Sequence, residues 1–426
     1  MSAPVLAREA ARAAAWLETY GSPLYVYDSG EVERRALELR AALPEGSRLL
    51  FSLKANPLPD IARLLQRLGC DAEVSSPGEL AVALEAGFPP ERVLYTGPGK
   101  SAEEVHAALA AGVTGFSAES WPDLERIDRV ARAARLRARV LLRVNPSAPP
   151  VARLAMSGVS SQFGFDEADL VDGRARLAAL GHVELMGLHV YQGTQLTDAN
   201  SLLAAVRQAL AVGESLSEVL GTRFQVMDVG GGFPWPFAAA GAGLDVSTLR
   251  EPLALLSASR ERTASAALWF ESGRWLCGSS GTLWATVVDV KRSKGKRYVV
   301  LDSGIHHLGG MSGLGRVPLV GVGVARAEPV SGALEEVNVV GPLCTPLDCF
   351  ARNVALPPLR PGDRVFIPNV GAYGLTASLT GFLSRPPPVE LVHREGEVTA
   401  VYRLRWGHAL YERPAPARPP GWEDAR

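Results

Sequence analysis

Lysine is scarce in this chain. It has five, Lys54, Lys100, Lys291, Lys294 and Lys296, and arginine supplies nearly all the other positive charge. Cysteine is also scarce: Cys70, Cys277, Cys344 and Cys349 show no metal-ligand spacing, so no metal site is expected. The N-terminal stretch, Ala3 to Tyr20, carries Arg8, Glu9, Arg12 and Glu18, so no secretory leader is expected there, and the thiols read as reduced and cytoplasmic. No apolar run approaches the roughly 20 residues of a spanning helix. Net charge is −1 with both signs scattered, which argues against nucleic acid or a membrane as partner and leaves small molecules. The hydrophobic fraction, 47%, is large enough for an extensive core.

What is present is an alternation. Short apolar runs end near Lys54, Ser76, Gly97, Ala118, Asn145, Tyr191, Gly230 and Ser272, with helical patterns such as Pro59 to Leu68, Pro77 to Ala86, Ser101 to Ala110 and Ser201 to Leu220 between them. Eight strands each followed by a helix is the pattern of an α/β fold of the (β/α)8 barrel type, assigned to residues 25–275. From about residue 275 the texture turns to strands, Thr282 to Val290, Arg297 to Asp302, Glu335 to Gly341, Arg364 to Pro368 and Val398 to Leu404, with turns at Lys294-Gly295 and Pro361-Gly362. Residues 276–412, joined by 1–24, are expected to form a mostly β domain, and 413–426 a proline-rich tail. Charge clusters once, from Lys291 to Arg297, which reads as a solvated hairpin tip or as a docking patch for an acidic partner.

In such a barrel the chemistry lies at the C-terminal ends of the strands. There this chain carries Lys54, then Glu73, Arg143, His189 with Tyr191 and Thr194, Gly230-Gly231-Gly232, and Glu271-Ser272-Gly273-Arg274. Lys54 ends an apolar run, where its ammonium either snorkels to solvent or is paired, neutralised or covalently used. The glycine triplet is either a turn or a set of bare amides for an anion. Glu271 and Arg274 are either a surface ion pair or an acid and a base within one site. A lysine for an aldehyde, glycines and arginine for a phosphate, and a carboxylate for a ring nitrogen together meet the needs of pyridoxal 5′-phosphate. Cys344 and Tyr373 taken alone read as a small buried residue and a core aromatic, and His189 reads equally as a satisfied histidine.

The ordered motifs Phe51-Ser-Leu-Lys54-Ala-Asn56, Val74-Ser-Ser-Pro-Gly-Glu79-Leu80, Arg143-Val-Asn-Pro146 and Phe163-Gly-Phe165 continue with Gly187-Leu-His189, Gly230-Gly-Gly-Phe-Pro234, Glu271-Ser-Gly-Arg274, Cys344-Thr-Pro-Leu-Asp348 and Gly371-Ala-Tyr373. From Pro23 to Leu404 the chain resembles the fold-type III pyridoxal-phosphate decarboxylases, the group of diaminopimelate and eukaryotic-type ornithine decarboxylases. The resemblance implies that Lys54 holds the cofactor and is displaced by the substrate amine, while Glu271 pairs with the pyridine nitrogen. Thr194, Gly232, Gly273 and Tyr373 would contact the phosphate, with Arg274 at the phosphate and substrate end. Cys344 would come from the neighbouring subunit of a homodimer to return a proton. Glu73, Arg143, Tyr191 and Gly231 join the expected cofactor set, His189 the catalytic set, and Thr345, Asp348 and Tyr373 the substrate set.

Three departures bear on substrate. The family's ring-stacking histidine is Tyr191, its lysine before Phe163-Gly164 is Gln162, and the glutamate that follows the cysteine in diaminopimelate decarboxylase is Thr345. Losing the last argues against a distal ammonium unless Asp348 replaces it. The pattern resembles a subgroup from biosynthetic gene clusters, some members of which decarboxylate an aminoacyl group tethered to a carrier protein. The expected activity is therefore decarboxylation of an α-amino acid, free or carrier-bound. The alternatives are a racemase on the same cofactor and an inactive cofactor-binding regulatory subunit.

Overall fold

The computed structural model describes residues 3–147, 160–309, 322–327 and 333–405; the expected tail 413–426 lies outside them. The chain enters by β1 (Leu24–Asp28), which belongs to the second sheet. The barrel strands follow as β2 (Arg48–Ser52), β3 (Asp71–Val74), β4 (Val93–Tyr95), β5 (Gly115–Ala118), β6 (Ala138–Asn145), β8 (Val183–His189), β9 (Val226–Asp228) and β10 (Ala267–Ser272), with a short β7 (Phe165–Asp166) beside β6. All pair in parallel, and contacts of β10 with β2 and of β5 with β6 complete the ring. Leu50, Leu94, Leu141, Met186 and Val226 pack together inside it with Trp269, so the barrel is filled rather than hollow.

The helices begin where the sequence supplies caps. Ser101 and Glu104 form a reciprocal capping box for Ala102–Ala110. Ser76 caps Pro77–Glu85, whose proline occupies a first-turn position where its missing N–H costs nothing. Asp198 caps the long helix Ala199–Leu220, and Gly221 closes it at φ +62°.

The second sheet is built from β11 (Gly281–Ser293), β12 (Lys296–Leu301), β13 (Ala325–Arg326), β14 (Glu335–Val340), β15 (Cys349–Leu356), β16 (Arg364–Pro368), β17 (Val389–Arg394) and β18 (Glu397–Arg403). Its spine runs β15-β14-β12-β11-β1-β17-β18. The helix Ala3–Tyr20 covers one face, burying Ala13 and Leu17 against Leu24, Val26, Trp284 and Leu391. Sequence reading placed residues from 25 onward in the barrel. The parallel ladder of Leu24–Asp28 with Val389–His393 keeps them in the β sheet instead, and the crossing to the barrel follows Asp28.

Five of the barrel strands stop two residues short of the ends expected from sequence, at Ser52, Val74, Tyr95, His189 and Asp228. The apolar pattern continues past the last ladder pair because the mouth is buried too. Lys54, Tyr191 and Gly230 therefore lie just past the ladders, outside sheet geometry, while Ser76 caps the helix that follows.

Candidate active site

Lys54 is the middle residue of a 3-10 turn, Leu53–Ala55, that follows β2 directly. Its Nζ donates to Glu73 Oε1 at 2.8 Å and Oε2 at 3.0 Å, with the lysine side chain 44% exposed and the glutamate 2%. Burial works against the ammonium, but Glu73 and then Glu271 outweigh it and hold Lys54 above the ordinary lysine range. Of the outcomes open from sequence, the ammonium is therefore paired, and the carboxylates outweigh the neutralising effect of burial. Glu73 is pushed up by burial and pulled down further by Lys54, so its carboxyl lies below the usual range. Thr96 adds a hydrogen bond to Glu73 Oε1 at 2.7 Å.

Behind this pair lies a buried trio, His189 at the end of β8, Asp228 at the end of β9 and Glu271 on β10, with ligand-type atoms all within 4.8 Å of one another. His189 Nε2 lies 3.5 Å from Glu271 Oε1, and its Nδ1 shares a 2.9 Å hydrogen bond with Ser117 Oγ. Burial, Glu73 and Asp228 push the Glu271 carboxyl well above its usual range. Burial pushes Asp228 up to about 7, against the hydrogen bond it accepts from the Gly230 N–H at 2.9 Å. His189 is driven down by burial and by Arg143, and so is held neutral. Burial thus disfavours charge on all three members of the trio.

Arg143 donates to Glu119 Oε1 at 2.7 Å, while Glu119 Oε2 accepts the Gly164 N–H at 3.0 Å. Its guanidinium lies 4.7 Å from the Phe163 ring centre and 6.0 Å from that of Tyr191. Tyr191 packs on Gly230, where a Cβ would come within 2.8 Å of the ring, and Gly230 takes φ +69°. Thr194 stands beside the Tyr191 side chain, whose hydroxyl burial pushes up to about 12. Gly231 allows the turn after β9 to lie against β10, since a Cβ there would sit 2.0 Å from the Glu271 carbonyl oxygen. Gly232 follows at φ +93°, and its carbonyl accepts the Leu196 N–H.

The β domain reaches the mouth through the loop Gly371–Tyr373. The Tyr373 N–H donates to the Ala55 carbonyl at 2.8 Å, and Asn56 Nδ2 donates to the Gly371 carbonyl at 2.9 Å. The Arg274 guanidinium stacks 4.7 Å from the Tyr373 ring centre, and Gly273 turns against Ser52 and Ala55. Lys54, Glu73, Arg143, His189, Tyr191, Thr194, Glu271, Arg274 and Tyr373 are thereby brought together from two domains.

The Cys344–Asp348 loop behaves differently. Cys344 is exposed, and Thr345 Oγ1 accepts from the Leu347 N–H at 3.3 Å. Asp348, offered from sequence as a substrate carboxylate, is 2% exposed and turned into its own loop. Its Oδ1 takes the Ile305 N–H at 2.8 Å and its Oδ2 the Leu343 N–H at 2.7 Å. A motif position says nothing about which way a side chain points, and here the backbone amides claim it. Glu119, Thr96, Ser117 and Asp228 escaped sequence reading. Glu119 carried a usable signal, because it follows the end of β5 as Lys54 follows β2.

The mouth therefore offers a lysine, a buried carboxyl whose Glu271 Oε1 lacks a hydrogen-bond partner, and a half-buried arginine whose Nε lacks one, among the described residues. Residues 29–278 match the family model "Pyridoxal-dependent decarboxylase, pyridoxal binding domain". The chain belongs to that family. This decarboxylase is 33% identical over 392 residues to the L-glutamyl-[BtrI acyl-carrier protein] decarboxylase of Niallia circulans, covering 90% of this chain and 91% of that protein. It is 31% identical to the diaminopimelate decarboxylase of Zymomonas mobilis, over 91% and 90% of the two chains. In structure it is similar to the diaminopimelate decarboxylase of Helicobacter pylori complexed with L-lysine, with a TM-score of 0.82, 27% identity, and coverage of 91% and 95%. Its cofactor is pyridoxal 5′-phosphate. These groups fit that cofactor: the unpartnered Glu271 acid for a ring nitrogen, the unpartnered and desolvated Arg274 guanidinium for a phosphate, and the Glu73-paired Lys54 amine for an aldehyde. No helix among the described residues is long and apolar enough to cross a membrane.

Proposed function

We propose that this decarboxylase removes the α-carboxylate of an aminoacyl group held on a carrier protein through its distal end. The observation that carries this reading is Asp348. Both its oxygens are engaged by the Ile305 and Leu343 amides, and Thr345 stands where diaminopimelate decarboxylase is expected to have a glutamate. The loop following Cys344 thus has no free carboxylate for a distal ammonium, and a site built for one binds poorly without its partner. A glutamyl carrier-protein decarboxylase among the relatives supports the same reading. Decarboxylation at Cα needs both the amine and the α-carboxylate free, so a glutamyl-type group must be attached through its side-chain carboxyl.

The cofactor supplies an electron sink for the pair released when the carboxylate departs. Lys54 would hold its aldehyde and yield to the substrate amine, and Glu271 would present its acid to the ring nitrogen. Arg274, Thr194, Gly232 and Tyr373 would hold the phosphate, and Tyr191 would cover the ring with a π-face. Cys344, exposed on its own subunit, would reach the site of a second copy and return the proton to Cα, making the homodimer the working unit. Carbon dioxide release from a carrier-bound glutamyl thioester, set beside free meso-diaminopimelate, ornithine, lysine, arginine and glutamate, tests the reading. Release from the thioester alone is expected; turnover of free diaminopimelate at a comparable rate overturns it.

A further inference from the structure

Three of the five lysines of the chain lie at one hairpin tip, Lys291 near the end of β11, Lys294 on the turn and Lys296 at the start of β12. Lys291, Arg292, Lys294 and Lys296 are all exposed there, and among the described residues none of the four forms an ion pair. Arg297 alone is paired, with Glu335. A solvated tip would be built more cheaply. Arg292 stands directly opposite Arg297 in the ladder, a like-charge pair that destabilises a hairpin. Lys294 occupies the first turn position at φ +49°, where asparagine, aspartate or glycine is favoured. Two local rules broken at one exposed turn, with no packing gained in return, mark a functional surface.

The position of the tip says which function. β12 runs parallel to β14, with Tyr298 opposite Asn338 and Val300 opposite Val340. The basic tip is at the start of this strand pair. At the other end β14 runs on to Cys344, and Asp348 ties that loop to Ile305 just beyond β12. The six residues of β12 span about 20 Å. A thioester arm extending from a carrier seated on the tip would run along the sheet toward the Cys344 loop.

We infer that the Lys291–Arg297 hairpin is the docking surface for an acidic carrier protein, seated at the opposite end of β12 from the Cys344 loop. The inference rests on the carrier-bound substrate argued above, and names where that partner sits. Rim charges of this kind govern encounter with the partner and its salt dependence, while the chemistry stays untouched.

The test compares wild type, K291E/R292E/K294E/K296E and the milder K294Q/K296Q, each as holoenzyme. Two substrates are used: the glutamyl-loaded carrier, and the same acyl group on a short pantetheine thioester. For the loaded carrier, KM should rise roughly tenfold or more in the fourfold variant and less in the milder one, with kcat unchanged. Turnover of the short thioester should be the same in all three, and the wild-type KM for the carrier should climb with salt while that of the fourfold variant, whose reversed charges repel an acidic carrier, should fall. An unchanged carrier KM in the fourfold variant overturns the docking assignment, whether or not that hairpin binds anionic vesicles. So does a loss shared by the short thioester in both variants. If wild type releases carbon dioxide from neither thioester, the carrier-bound reading has itself failed and the docking assignment falls with it.

Discussion

Glu73 accepts both of the hydrogen bonds that Lys54 makes, at 2.8 Å and 3.0 Å, and so keeps protonated the one amine that must be neutral to join an aldehyde. In E73Q the largest influence raising the lysine's pKa is gone while burial remains. The free-amine fraction at neutral pH should therefore increase. Capture of pyridoxal phosphate by the apo protein, followed from about pH 6 to about pH 9, should become faster by roughly tenfold at every pH for one pKa unit lost, because the amine titrates above that range. A profile identical to wild type would mean that some other group unloads the lysine. K54A should show no cofactor mass after borohydride reduction.

The element pattern was legible in the sequence because capping residues and turn chemistry act locally. Ser101 with Glu104, Ser76 with Pro77, and Gly221 each announce a helix boundary without reference to the rest of the fold. Lys54, Glu271 and Arg274 were legible as a set because each lies at a strand's C-terminal end, where the topology gathers them. Two things were not. The strands β13, β15 and β17 went unread; in β15 (Cys349–Leu356) the ladder with β14 is bulged and Asn353 takes φ +51°, which breaks the alternation a strand shows. The orientation of Asp348 and the pairing of Glu119 with Arg143 depend on backbone brought from far along the chain, which no local pattern records.

Asp348 gives the second prediction. Replacing it by alanine strands the Ile305 and Leu343 amides in a buried loop, at about 1–3 kcal/mol each. D348A should lower the melting temperature and reduce kcat, because the loop that presents Cys344 loses its tie. Cofactor affinity, set on the barrel side, should stay within about twofold. D348N, which keeps an acceptor for one amide, should fall between. Equal loss of cofactor affinity would place Asp348 in the site after all.

Asp228 allows a pH prediction. Burial raises its folded-state pKa to about 7, against about 3.9 for an unfolded aspartate. Between those values the folded protein keeps a proton that the unfolded chain has lost, so this contribution is full below about pH 4 and fades as pH rises to about 7. D228N retains the acceptor for the Gly230 N–H and cannot ionise. The two apo proteins should melt alike near pH 4, and wild type should fall behind D228N by up to about 1.4 kcal/mol per pH unit until near pH 7. Parallel curves would show that Asp228 does not titrate in this window.

Cys344 is exposed on its own chain, whereas Lys54 lies in the mouth of the barrel, so a site that uses both is best completed by a second copy. That arrangement has an arithmetical consequence. K54A and C344A should each be nearly inactive as homodimers. When the two are mixed and allowed to exchange subunits, half the dimers become mixed, and in each of these one site combines an intact Lys54 with an intact Cys344 while the other lacks both. Activity should recover to about a quarter of wild type. If both residues instead served the same chain's site, every site in the mixture would lack one of them and no activity would return. Measuring carbon dioxide release before and after subunit exchange separates the two arrangements.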